Sequence, residues 1–417
     1  MIRSIVILFI LTITVTALQA QITLNDYCAR VMTYSQELID KGLAAQEARE
    51  SELVVRTGYY PLVALVRELN VDMRTPAVGR RWSWLTQLDV SQPIFRGGAV
   101  RAAAKQAGLA YDIAMFDEQA QRLFVRYTAE VAYWTLSRAE NYLAATAEYV
   151  DIVRSLCNVV AERYNEGYIS RGDLLQVESR LSDAEYQLSV AQQRRDIALH
   201  SFNMLCGAEP SVLVVLAESI LDEVTMPERE NLQEVFSCHP DYETSLKSVE
   251  QSFWGIRAAR AKFLPQIEVG AYGLLRPNVP HVKGGGMRLD GGVLLSFSTP
   301  IYHFGERKHV VSAARSNHLR MVNAATEVVD RITLDESDAW SNLAATHDRV
   351  LTIRYNLDIA QENLAISTYS YREGRSTILD VLQAQLSWLQ TYANAIAAQY
   401  DYAVAIAAYE YVVCKWR

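Results

Sequence analysis

Apolar residues along this chain follow two different periods. In the stretches 94–209 and 301–417 they recur every three or four positions. The first stretch shows it with Leu109, Ile113, Phe116, Ala120, Leu123, Tyr127, Val131 and Trp134, resumed by Tyr149, Ile152, Leu156 and Val159. That step is the stripe of a coiled-coil-like helix. Prolines stand at 61, 76, 93, 210, 227, 240, 265, 277, 280 and 300, so neither stretch contains one. A proline inside a helix costs about 3 kcal/mol. The pattern predicts long helices over 98–163 and 305–370, followed by helices over 173–206 and 378–415. At a rise of about 1.5 Å per residue, each long helix would reach roughly 100 Å, several times the length of an ordinary globular helix.

Between the prolines the period falls to two. Trp82, Trp84, Leu88 and Val90 alternate with Ser83, Gln87, Asp89 and Ser91, Leu85 being the exception. Met287, Leu289, Val293, Leu295 and Phe297 alternate with Arg288, Asp290, Ser296 and Ser298. Less regular strands precede them at about 62–74 and 264–275, with Arg67 on the apolar side of the first. The turn-rich links Thr75-Pro-Ala-Val-Gly79 and Pro277 to Gly286 complete two strand pairs, at about 60–95 and 264–301. The smallest membrane-spanning barrels need about eight strands, so four per chain require other copies to complete a barrel.

The two halves of the chain repeat each other. Tyr164-Asn-Glu-Gly167 and Asp173-Leu-Leu-Gln176 return as Tyr371-Arg-Glu-Gly374 and Asp380-Val-Leu-Gln383, an offset of 207 (371 − 164) that Pro93, Ile94 and Gly98 share with Pro300, Ile301 and Gly305. Upstream the offset becomes 204, as between Pro61 and Pro265, which places a length difference in a loop. We read a tandem duplication: a first repeat over 21–209, a connector over 210–230 and a second repeat over 231–417. Each repeat runs helix, strand pair, very long helix, turn, helix.

Composition adds the compartment. Arg3, the apolar run Ile5 to Leu18 and the small-residue site Ala17-Leu-Gln-Ala20 read as a cleaved signal peptide over residues 1–20. The run is too short to span a hydrocarbon core of ~30 Å as a helix. No second apolar run reaches that length, so a membrane role falls to strands. A formal net charge of −8 without a long basic run argues against nucleic acid. Cysteines 28, 157, 206, 238 and 414 form no metal spacing and no disulfide framework.

A duplicated chain of this order with a signal peptide resembles the TolC-like outer-membrane efflux family (outer membrane factors). The resemblance covers nearly all of the mature chain. It rests on Tyr371-Arg-Glu-Gly-Arg-Ser-Thr-Ile-Leu-Asp-Val-Leu382, its partner Tyr164 to Leu175, and the junctions Gln92-Pro-Ile-Phe-Arg-Gly-Gly98 and Thr299-Pro-Ile-Tyr-His-Phe-Gly305. His239-Pro240 also matches the family's helix-start proline, whereas the first repeat has Ser35-Gln36 there. The resemblance implies a mainly α fold with a β-barrel portion: a homotrimer whose twelve strands close one barrel in outer-membrane lipid and whose helices continue as an α-barrel. It implies a passive export conduit of a tripartite efflux or type I secretion system. A periplasmic adaptor protein and an inner-membrane pump are the implied partners, with no cofactor.

Ser170-Arg-Gly-Asp173 and Thr377-Ile-Leu-Asp380 read as capping boxes, and Gly167 and Gly374 as left-handed helix stops. The resemblance adds a role at the periplasmic end. Asp380 would form a carboxylate ring narrowing the entrance, with Tyr371 and Asp173 in the polar network that shuts it. Gln383 stands where the family pattern carries a second acid and Ser376 where it carries a base, with Arg375 alongside. The tips Gly167, Tyr168, Ile169, Ser170 and Gly374, Arg375, Ser376, Thr377 would meet the adaptor. His281, Lys283 and Arg276 near the external loop are candidates for lipopolysaccharide contact. Neither HExxH, nor a G-x-S-x-G elbow, nor a P-loop occurs, which argues against an enzyme. The competing class is a periplasmic coiled-coil adaptor or scaffold without a pore.

Overall fold

A computed structural model describes residues 21–71, 82–222, 225–277 and 287–416. The expected signal peptide, the 75–79 turn, and residues 278–286 with His281 and Lys283 lie outside the described residues. The chain forms two compact units, one from residues 37–121 and 231–334, the other from residues up to 36, 122–230 and 335–417. The helices α3 (Ala99–Asn165) and α7 (Glu306–Arg372), of 67 residues each, contribute to both.

Each repeat opens with two helices where the pattern suggested one: α1 (Leu24–Tyr34) and α2 (Gln36–Arg56), then α5 (Leu232–Cys238) and α6 (Pro240–Ala261). The breaks have local causes. Pro240 disfavours helical backbone at the residue before it, and His239 sits at ψ 117°, its ring accepting the Asp241 N–H at 3.3 Å. Ser35 takes the matching ψ of 113° between α1 and α2.

The first unit carries one antiparallel sheet in the order β1 (Leu62–Val71), β2 (Trp82–Arg96), β3 (Gln266–Pro277), β4 (Met287–Ser298). The second strand ends at Arg96, close to the expected limit of the pair at about 95, and runs through Pro93 with a bulge between Pro93 and Phe95. Pro93 fits there because pairing with β1 ends at Leu62–Ser91. Beyond that point β2 is locally an edge, where a missing N–H is tolerated.

Register sorts the side chains onto two faces, since residues paired across strands point to the same side. Val63, Leu65 and Leu69 of β1 share a face with Trp84, Leu88 and Val90 of β2, with Ile267, Val269 and Ala271 of β3, and with Leu289, Val293, Leu295 and Phe297 of β4. Among the described residues no other element covers it: Val293 is 80% exposed and Leu289 77%. Arg67 lies on this face, its guanidinium 5.9 Å from the Trp84 ring. The opposite face carries Gln87 bonded to Asp89 at 2.7 Å, and Asp290, which accepts from Arg276 at 3.0 Å and Arg288 at 2.9 Å. Arg276, a candidate lipopolysaccharide contact from the sequence, lies on this polar face and pairs with Asp290.

The turn into α3 needs glycine. Gly97 has φ +59°, and a Cβ there would lie 2.6 Å from the Ala261 carbonyl oxygen.

In the second unit, α4 (Arg171–Leu205) and α8 (Ile378–Val412) return beside the long helices. Tyr27 stacks on Phe202 with ring centroids 3.8 Å apart and donates its hydroxyl to the Phe202 carbonyl. The connector packs on this unit: Ile22 bridges to Leu216, Ile220 N–H reaches the Ser137 hydroxyl, and Arg229 holds the buried Glu336 bidentately at 2.9 and 2.8 Å.

Candidate functional site at the hairpin turns

Two helix–turn–helix hairpins, α3–α4 and α7–α8, close with the same bonds at matching positions. In the first, Tyr168 N–H donates to the Arg163 carbonyl and Gly167 N–H to that of Tyr164. In the second, Arg375 N–H donates to Ser370 and Gly374 N–H to Tyr371. Both are Schellman motifs, and they require a left-handed residue at the helix stop. Gly167 at φ +79° and Gly374 at φ +72° supply it.

The returning helices start in capping boxes. Asp173 accepts the Ser170 N–H at 3.2 Å and the Ser170 hydroxyl at 2.9 Å. Asp380 accepts the Thr377 hydroxyl at 2.7 Å and the Thr377 N–H at 2.8 Å. Those bonds, the hydroxyl's first, hold the Asp380 carboxyl below the usual carboxylate range, so it is charged at neutral pH. Asp380 and Gln383 stand exposed on α8.

Tyr371 is buried among Leu156, Val160, Val177, Ile378, Val381 and Leu382, a cluster drawn from all four helices, with Ile169 packed at its margin. Tyr371 and Asp173 make no hydrogen bond to each other: the Tyr371 hydroxyl has no partner, and the Asp173 carboxylate is taken up by Ser170. Beside the turns, Arg163 of the first hairpin bonds across to the second. Its guanidinium lies 4.9 Å from the Tyr371 ring centroid and donates to the carbonyls of Tyr371 at 3.2 Å and Arg372 at 2.8 Å. Of the remaining tip residues, Tyr168 is strongly exposed, Arg375 points to solvent, and the Ser376 hydroxyl lies 3.5 Å from the Ser367 carbonyl.

A groove of about 810 Å³ runs beside the turns, lined by Asp151, Leu156, Leu364, Tyr371, Arg372 and Gln385. The buried Gln385 Oε1, like the Tyr371 hydroxyl, has no hydrogen-bond partner. Among the described residues no three His, Cys, Asp or Glu side chains converge on a metal position, and no helix is long and apolar enough to cross a membrane.

An uncovered apolar sheet face and paired hairpins of this length fit an outer-membrane channel protein. Comparison with known proteins agrees. The outer membrane efflux protein family matches twice, over residues 31–208 and 231–409, and the chain belongs to that family. It is 22% identical over 362 residues to outer membrane efflux protein BepC of Brucella suis biovar 1 (strain 1330), covering 85% of this chain and 77% of that one. Among solved structures, the outer membrane protein VceC of Vibrio cholerae superposes with a TM-score of 0.79 at 17% identity, covering 94% of this chain and 95% of that one. The open-state MtrE outer membrane channel of Neisseria gonorrhoeae gives 0.80 at 18% identity, covering 94% and 88%. The protein is a channel of the bacterial outer membrane that serves efflux, and it is not an enzyme.

Proposed function

We propose that three copies of this chain close a twelve-stranded barrel in the outer membrane and form the passive conduit of a tripartite efflux or type I secretion system. The observation that carries the reading is the sheet: among the described residues it has four strands, an uncovered apolar face, and outer edges of β1 and β4 that pair with nothing. Open edges are a standing risk of aggregation, and closure with neighbouring copies removes them.

In this reading residues 1–20 are a cleaved signal peptide, 21–209 and 231–417 are tandem copies joined by the connector 210–230, and the helices extend into the periplasm. The double family match supports the duplication. The hairpin turns form the periplasmic end. Asp380, exposed and charged, lines the entrance as a ring of three carboxylates that favours cations, with Gln383 beside it and Tyr371, Asp173 and Arg375 supporting the closed form. Gly167, Tyr168, Ile169, Ser170, Gly374, Arg375, Ser376 and Thr377 receive a periplasmic adaptor that connects to an inner-membrane pump. Purified protein should migrate as a heat-modifiable trimer and give cation-selective conductance in planar bilayers. Soluble monomers without conductance would reject the reading.

A further inference from the structure

We propose that the end of the sheet joined to the helices carries a basic collar that binds anionic phospholipid headgroups of the periplasmic leaflet. The proposal rests on the conduit reading above, which sets this end of the sheet at the membrane surface, and adds a ligand to it.

The register brings four junctions to one end of the sheet: β1 starts, β2 ends, β3 starts and β4 ends there. Residues 53–60, 97–111, 251–264 and 299–320 flank those strand ends. They hold ten lysines and arginines and one acid, Glu306. The chain as a whole is the reverse, with 48 acids to 40 lysines and arginines. All ten cations are exposed, and among the described residues only Arg56 of the ten pairs with a carboxylate, Glu52 at 2.6 Å.

Helix stability does not account for the bias. Arg101 and Lys105 lie in the first two turns of α3, and Arg307 and Lys308 open α7. The positive end of a helix dipole disfavours cations at those places. Something outside the chain has to favour them.

Strands β1, β3 and β4 have 10, 12 and 12 residues, close to the roughly 9–11 that a tilted strand needs to cross hydrocarbon. Their ends therefore fall at headgroup depth, where clustered cations attract anionic lipid. The collar also has room for a headgroup. A groove of about 690 Å³ opens among Arg56, Tyr59, Tyr60, Arg101 and Lys105. Two of its acids, Glu52 and Asp112, are taken up by Arg56 and Lys247, which leaves Arg101 and Lys105 against Glu250. Beside it, the Trp254 ring has the Arg257 guanidinium at 4.6 Å and that of Arg101 at 6.0 Å. Tryptophan is favoured where lipid meets water, and a guanidinium forks onto phosphate oxygens.

Purified trimers in micelles of equimolar phosphatidylglycerol and phosphatidylethanolamine test this, with retained lipids counted by mass spectrometry. Wild type should hold several-fold more phosphatidylglycerol. The fourfold variant Arg101→Gln/Lys105→Gln/Arg307→Gln/Lys308→Gln should assemble and hold both lipids about equally. A control that removes four cations elsewhere, Arg30→Gln/Lys41→Gln/Arg194→Gln/Arg349→Gln, should keep the wild-type preference. No preference in wild-type trimers, or equal loss in the control, would overturn the collar. So would an unchanged preference in the fourfold variant; conductance shifted toward cations would then place its side chains in the bore. Should the fourfold variant not assemble, Arg101→Gln/Lys105→Gln and Arg307→Gln/Lys308→Gln should each assemble and lose part of the preference. Failure of both to assemble would assign the cations to assembly and end the proposal. Wild-type chains that form no trimer would instead sink the conduit reading.

Discussion

At the scale of single residues, Glu130 shows how burial sets chemistry away from the turns. It is 5% exposed in α3, its carboxylate 3.2 Å from Arg126 Nε. Burial pushes its carboxyl up from 4.5 to about 7, against the pull of the Arg126 cation. Arg126 is also engaged by the Asn25 side chain and by the Trp416 ring at 4.9 Å, so it is shared. A raised folded-state value means the folded chain holds a proton that the unfolded chain has released. The resulting stabilisation is fully present below about pH 4.5 and is lost as pH rises through about 7. Glu130→Gln copies the protonated form, so its melting temperature should fall less than that of wild type between pH 5 and pH 7.5. Glu140, also raised by burial, keeps a remainder of the slope. An unchanged slope in Glu130→Gln, followed by circular dichroism, would remove Glu130 from this role.

Among elements, the hairpin starts are the most exposed to single substitutions. Thr377→Ala removes the hydroxyl that caps the Asp380 N–H and bonds its carboxylate; Ser170→Ala does the same to Asp173. Each should cost about 1 kcal/mol at its own helix start. Hydrogen exchange should therefore quicken roughly fivefold over residues 378–381 in Thr377→Ala, with 171–174 unaffected. Equal quickening at both starts would mean that the turns do not act locally. These boxes were legible in sequence because their partners lie three residues apart, as were α3 and α7, whose apolar stripe runs without proline. What stayed hidden depended on distant partners. That β2 accepts Pro93 follows from the ladder, where pairing with β1 stops at Leu62–Ser91 and leaves β2 a local edge. Arg163 carries no local signal, since its carbonyl partners lie in the other repeat. Within one chain Asp173 bonds Ser170 and Arg163 lies against the Tyr371 ring, contacts that no local sequence pattern announces for Tyr371.

For the whole molecule, the proposed barrel requires the apolar sheet face to meet lipid. Adjacent β4 residues test it with little else changed. Val293 sits on the apolar face level with Ala271 and Val90, and Leu294 on the polar face opposite Gly270; both are exposed in the single chain. A soluble sheet would accept arginine at either position at similar small cost. In a barrel the faces diverge: an arginine at mid-depth on the lipid side costs about 2–4 kcal/mol, while one facing the lumen stays hydrated. Val293→Arg should thus sharply reduce heat-modifiable trimers in outer-membrane fractions, whereas Leu294→Arg assembles and shifts conductance toward anions. Arg67 is not an exception to this rule. It lies near the outer end of the apolar face, level with Leu289, where its long stem can carry the charge toward the interface while its guanidinium rests by Trp84. Equal assembly of the two β4 variants would mean that the uncovered face is hidden by protein, and the twelve-stranded closure would fail with it.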